Sequence, residues 1–268
     1  MKDKYNSNIF SDLKDYGLDD LCDLKLYKTK DVMTEQELLE ETSPINFLFD
    51  RKLTCPICES TISVRAVKSS GIRVLSRDTD FMVNYQEPNP LFYDVWLCVN
   101  CGYAAPSSRF NTINNKQIKL IKEKLCPKWK LSKNYPSIYD ENIAVEFHQL
   151  ALLNTVIKMG RASEKASICL KLAWLYRIKK DINNENKFIY QAIQGFSDAY
   201  ENENFPFNGL DEPSVEYLIG ELYRRLGENS LALKWLSKVL SSRIAKEKIK
   251  DMARTQKDII RDLMCNKL

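Results

Sequence analysis

Four cysteines in two C-x-x-C pairs, Cys55-Pro56-Ile57-Cys58 and Cys98-Val99-Asn100-Cys101, are the residues of this chain best suited to chemistry. Each pair puts two sulfurs on one tight turn, and two such turns supply four soft thiolates. That set suits a single tetrahedral Zn2+, with Zn–S bonds of about 2.3 Å. With every position filled by protein, such an ion is structural rather than catalytic. Gly102 follows the second pair and suits the left-handed backbone that a knuckle requires. Glu59 follows the first pair, where a non-glycine costs about 1 kcal/mol. A redox dithiol competes less well, because a redox C-x-x-C normally opens a helix in a βαβ unit. The other four cysteines, Cys22, Cys126, Cys169 and Cys265, lack ligand spacing, and Cys169 reads as helix core.

A second constellation lies between the cysteine pairs. Arg77, Asp78, Asp80, Tyr93 and Asp94 could converge as a polar ligand loop or as an oxygen site for a hard metal. The competing reading is turn chemistry, with aspartates capping backbone amides and pairing with arginine. Phe81, Tyr85, Phe92, Tyr93 and Trp96 add aromatic surface that is part core and part candidate stacking platform. His148, the only histidine, falls near one face of a predicted helix with Ala144, Phe147 and Ala151, and reads as packed. No G-x-S-x-G or P-loop motif accompanies it. Seven lysines between Lys116 and Lys133 face one acid, Glu123, with Trp129 and Tyr135 nearby. They could touch phosphates, or form the solvated face of a helix whose apolar side is Ile118, Leu120, Ile121 and Leu125.

The chain that positions these groups has 268 residues, a net charge of +4 and 44% hydrophobic residues, an ordinary soluble composition. Residues 1–50 hold six lysines against twelve acids, so residues 1–45 read as an acidic arm. The first residues show no apolar signal region and no stretch is long enough to span a bilayer, so the expected setting is cytoplasmic, without membrane association and with reduced thiols. Residues 46–110 read as a small β head. Ile62, Val64 and Ala66 alternate with polar neighbours, as do Ile72 and Val74, and Leu91, Tyr93, Val95 and Leu97 form a third run. So small a unit buries too little surface to be secure alone, and a metal staple is physically expected.

From residue 111 the period changes from 2 to 3.6, and residues 111–268 read as a helical domain, giving an α+β chain. Helices are predicted at 114–126, 140–159, 163–179, 184–202, 213–226, 229–243 and 245–264, bounded by Pro127, Pro136, Gly160, Pro206, Pro213 and Gly227. Within this part, Gly220, Tyr223, Gly227, Ala232 and Trp235 resemble a tetratricopeptide repeat. A degenerate copy has Ala173 for Gly220 and Tyr176 for Tyr223, with Lys180 where a turn glycine is wanted. The matched positions aim Tyr217, Glu221, Arg224 and Arg225 at a concave surface, with Trp174, Arg177 and Ile178 their counterparts. Such a groove would prefer an acidic or carboxylate-bearing peptide, unless these residues face solvent or the head instead.

The segments L-T-C-P-I-C-E, S-S-G-I-R-V-L-S-R-D-T-D-F and N-P-L-F-Y-D-V-W-L-C-V-N-C-G-Y-A-A together resemble a bacterial family catalogued as domain of unknown function 2225. The resemblance covers residues 47–110 and, more loosely, the helical remainder. It implies a zinc-ribbon-like head joined to a helical-repeat tail, and no reaction. That family generally has a glycine after the first cysteine pair, from which Glu59 departs. The leading expectation is a non-catalytic adaptor with one structural zinc, binding another protein or a peptide. A nucleic-acid binder using the ribbon and the 116–133 segment is the alternative. An enzyme or small-molecule site at Asp78, Asp80, Tyr93 and Asp94 is the third.

Overall fold

Three short hairpins make up the β part of the computed structural model, which describes residues 43–131 and 134–265. The acidic arm, apart from residues 43–45, lies outside the described residues, as do Cys22 and Lys133. Strands β1 (Leu48–Thr54) and β2 (Thr61–Val67) pair antiparallel from Leu48↔Val67 to Thr54↔Thr61. Strands β5 (Val95–Leu97) and β6 (Ala104–Pro106) pair antiparallel, with Leu97 opposite Ala104. Each of these hairpins therefore turns through one cysteine pair. Between them, β3 (Val74–Arg77) and β4 (Val83–Tyr85) form a third hairpin whose turn is 78–82.

One predicted strand is shorter than the alternation suggested. Pro90–Tyr93 is a 3-10 turn, because Pro90 favours a helical start and the Asn89 side chain accepts a bond from Leu91 N at 3.0 Å. Only Val95–Leu97 remains strand, and its residues are buried on both faces. Alternation there reported burial against two layers, not one wet face.

Seven α-helices follow among the described residues: α1 (Asn115–Lys124), α2 (Glu141–Ile157), α3 (Ala162–Ile178), α4 (Ile182–Asn202), α5 (Glu212–Arg225), α6 (Asn229–Ser241) and α7 (Glu247–Cys265). Side-chain caps fix several starts. Asn114 and Gln117 form a capping box, and Asp140 and Asp211 accept from Ile143 N and Ser214 N. The C-terminal ends repeat one design. Met159, Lys180 and Gly227 all have positive φ, at 55°, 58° and 79°. After each, the chain closes the same pair of backbone bonds, such as Lys180 N to Arg177 O (2.9 Å) with Asp181 N to Tyr176 O (2.9 Å). Gly227 N to Arg224 O and Glu228 N to Tyr223 O match them at 2.9 and 3.0 Å. These are Schellman stops, in which the left-handed residue turns the chain back to form a hairpin. Lys180 thus holds the turn conformation without being glycine.

Gly220 lets α5 and α6 approach, since a Cβ there would lie 3.0 Å from the Leu236 side chain. The described residues from Pro44 onward form one compact unit. The head and the helices share a core: Leu48, Phe92, Val95 and Leu97 pack with Phe147, Ala151, Leu172 and Leu175. A second core joins Cys55, Ile57, Trp96, Tyr103 and Phe110 to Ile121 and Leu125 of the α1 region. No described helix is long and apolar enough to cross a membrane.

Candidate metal centre and a clamped acidic loop

The two cysteine turns are built alike. Cys55 N donates to Ser60 O at 3.0 Å and Glu59 N to Cys55 O at 2.9 Å. Cys98 N donates to Tyr103 O at 2.8 Å and Gly102 N to Cys98 O at 2.9 Å. Both turns need a left-handed residue after the second cysteine, supplied by Glu59 (φ 62°) and Gly102 (φ 78°). Glycine is required at 102 for a second reason: a Cβ would sit 2.6 Å from the Trp129 ring, which lies over the knuckle. Trp129 Nε1 donates to Val99 O at 2.8 Å, and Asn154 Nδ2 of α2 donates to Gly102 O at 3.1 Å. The helical part therefore holds the second turn in place.

The result is four sulfurs within 4.8 Å of one another, from Cys55, Cys58, Cys98 and Cys101. The cross-turn pairs Cys55–Cys101 and Cys58–Cys98 are 3.7 and 3.6 Å apart. A tetrahedron of sulfurs around an ion at about 2.3 Å has edges of about 3.8 Å, so the arrangement fits a metal site. Hydrogen bonds from the Cys101 and Cys98 thiols, with Ile57 N donating at 3.4 Å, hold the Cys55 thiol far below its ordinary value. Cys101 is driven upward, first by its bond to Cys55. Four sulfurs this close cannot all ionise without a cation among them. A fifth sulfur, Cys126, stands next to this set in hydrogen-bond reach of Cys101; burial raises its thiol. Ligand spacing could not have found it, because it arrives from the end of α1.

The other two candidate sites of the sequence meet in one place. The turn 78–82 of the third hairpin meets side chains of α3 and α5. Asp80, fully buried, bonds Arg177 Nη2 at 2.6 Å and Trp174 Nε1 at 3.1 Å, with Arg225 Nε at 3.5 Å. Asp78 takes Arg177 Nη1 at 2.9 Å. Thr79 donates its hydroxyl to Glu221, while Tyr217 OH donates to Thr79 O at 2.9 Å and Arg225 Nη2 to Thr79 Oγ1 at 3.1 Å. Arg224 stays on Glu221 at 2.7 Å, and Phe81 packs on Tyr217 at 5.4 Å between ring centroids. All six residues expected to line a peptide groove thus converge on, or brace, a segment of their own chain. Burial alone would raise the Asp80 carboxyl, but the bonds and charge of Arg177, then the charge of Arg225, hold it below its ordinary value.

Three loop candidates do not join this cluster. Arg77 is exposed. Tyr93 OH accepts from Tyr139 N at 3.0 Å, and its ring stacks on Tyr139. Asp94 binds Lys171 Nζ at 2.7 Å and lies 3.8 Å from His148 Nε2. Burial would raise its carboxyl, but the His148 imidazole and the Lys171 ammonium hold it well below the usual range. His148 is fully buried and its Nδ1 lies 2.7 Å from Ala144 O. Phe92, Tyr93 and Trp96 are buried, which removes most of the stacking platform. In the lysine segment, Lys116, Lys119, Lys122 and Lys124 are exposed and Ile121 is buried. Its two aromatics are engaged internally, Trp129 over Gly102 and Tyr135 with Glu146 and Phe147.

Comparison with curated proteins and with solved structures gave no match. A family model matches residues 48–260, which include both cysteine turns, the clamped loop and most of the helical part. The chain therefore belongs to the family described as "Uncharacterized protein conserved in bacteria (DUF2225)".

Proposed function

We propose that this is a non-catalytic binding protein in which one structural Zn2+ staples the head and the helical tail grips an acidic turn. Thiolate softness favours zinc over hard cations, and the four-sulfur set leaves no position open for a substrate. The observation that carries the reading is Asp80 buried among Arg177, Arg225 and Trp174. Repeat-type grooves recognise peptides through such positions, and here the peptide is the chain's own turn. The adaptor role then depends on that turn, because a partner's acidic segment must compete with it.

The test uses a labelled peptide of residues 76–83 added to the whole protein. Wild type should not bind it, while Asp80→Ala, with its own turn weakened, should. Absence of binding by a folded Asp80→Ala protein would remove the groove from the account. Elemental analysis of the same preparation should give one zinc per chain.

A further inference from the structure

Beside the clamped turn lies a cavity of about 640 Å3, a volume typical of small-molecule sites. Its walls differ in chemistry. Phe81, Trp174, Phe196, Leu210 and Leu218 are among its apolar lining residues and Arg109, Lys158 and Lys171 its cationic ones, with Glu164 as the acid of the lining. Lys158 is only 4% exposed, and its counter-charge among the described residues is Glu164, 2.9 Å away. That carboxylate is shared, since Arg109 Nη1 binds its other oxygen at 3.0 Å. Lys171 is paired with Asp94 at 2.7 Å. Three cations thus meet two carboxylates, so the cluster carries a net positive charge; Lys158 is its buried member and shares its carboxylate with Arg109, while Arg109 and Lys171 keep partial exposure. Burying a cation in this way is costly unless an anion completes it. Hydroxyls of Ser108, Thr112 and Ser167 add polar atoms to the lining.

We propose that this cavity binds an amphiphilic organic anion, its carboxylate or phosphate head held by Arg109, Lys158 and Lys171 and its apolar body lying against Phe81, Trp174, Phe196 and Leu210. The head group neutralises the surplus charge, and the body fills the apolar part. The site is separate from the sulfur cluster and needs no metal. It adjoins the groove through Phe81 and Trp174, so its occupant would press on the seat of the acidic turn.

Isothermal titration of the full chain with octanoate, octyl phosphate, octanol and inorganic phosphate tests this. One or both octyl anions should bind at least tenfold tighter than octanol and than inorganic phosphate. Which anion wins distinguishes the two head groups. Lys158→Met should erase that preference. Ser167→Phe, which fills the cavity without removing a charge, should abolish binding and serves where Lys158→Met does not fold. No binding by any probe, equal binding of octanol, a preference that survives Lys158→Met, or binding retained in Ser167→Phe would each overturn the proposal.

Discussion

Asp80 illustrates how one side chain ties the molecule together. It is wholly buried, yet it carries its charge because Arg177 meets it with two nitrogens, at 2.6 and 3.2 Å. Neutralising Asp80 removes the buried acceptor of this network while Arg177 keeps Asp78 and Glu185, so Asp80→Asn should cost about 1–3 kcal/mol in denaturant unfolding. The pH dependence follows from the direction of the shift. A carboxyl held below its ordinary value in the folded state stabilises fully above about pH 4, and loses that contribution as pH falls through the folded value. Asp80 and Asp94 both act in this sense, so stability should drop in acid, with a shallower slope in Asp80→Asn. Glu59 is the opposite case, a residue at odds with its φ of 62°. Glu59→Gly should gain about 1 kcal/mol, raising the melting temperature by about 2–4 °C. Its misfit was legible in the sequence, because the two cysteine turns must be alike and only one has glycine. The partners of Asp80 were named in the sequence too, but as two sites. Nothing in local spacing says that a turn at 78–82 reaches side chains 94 to 146 positions away.

At the level of elements, the helices were the most legible part, since heptad-like burial and strong breakers agree. Each observed helix lies within two residues of its predicted ends at every boundary, as with α2 at Glu141–Ile157 against 140–159. The strands were less so. β1, β4 and β6 were not predicted, because strands of three residues and one as polar as Leu48–Thr54 carry little periodic signal. The hairpin stops offer a test of the repeat itself. If Met159, Lys180 and Gly227 occupy equivalent turns, Lys180→Gly should stabilise by about 0.5–1 kcal/mol and Gly227→Ala should destabilise by about 1 kcal/mol. Equal and opposite responses in thermal melts would support the equivalence. A loss of stability in Lys180→Gly would argue against it.

For the whole molecule, the four-cysteine head and the helical part are joined through shared cores, through Asn154 on Gly102, and through the clamped turn. Structural zinc contributes about 10–16 kcal/mol in small domains, comparable to the total stability of a typical protein. Chelation should therefore lower the melting temperature of the helices as well as the head, read by far-ultraviolet circular dichroism. Cys98→Ser should have the same effect. Helices that melt unchanged after metal removal would show the two parts to be independent. The central claim is that the helical tail holds the head's own acidic turn, and a double-mutant cycle tests it most directly. Asp80→Asn, Arg177→Met and the double variant are compared by denaturant unfolding of the full chain. A coupling energy above about 1 kcal/mol is the result expected of paired groups in one buried network. Single effects that add to within about 0.3–0.5 kcal/mol would contradict it.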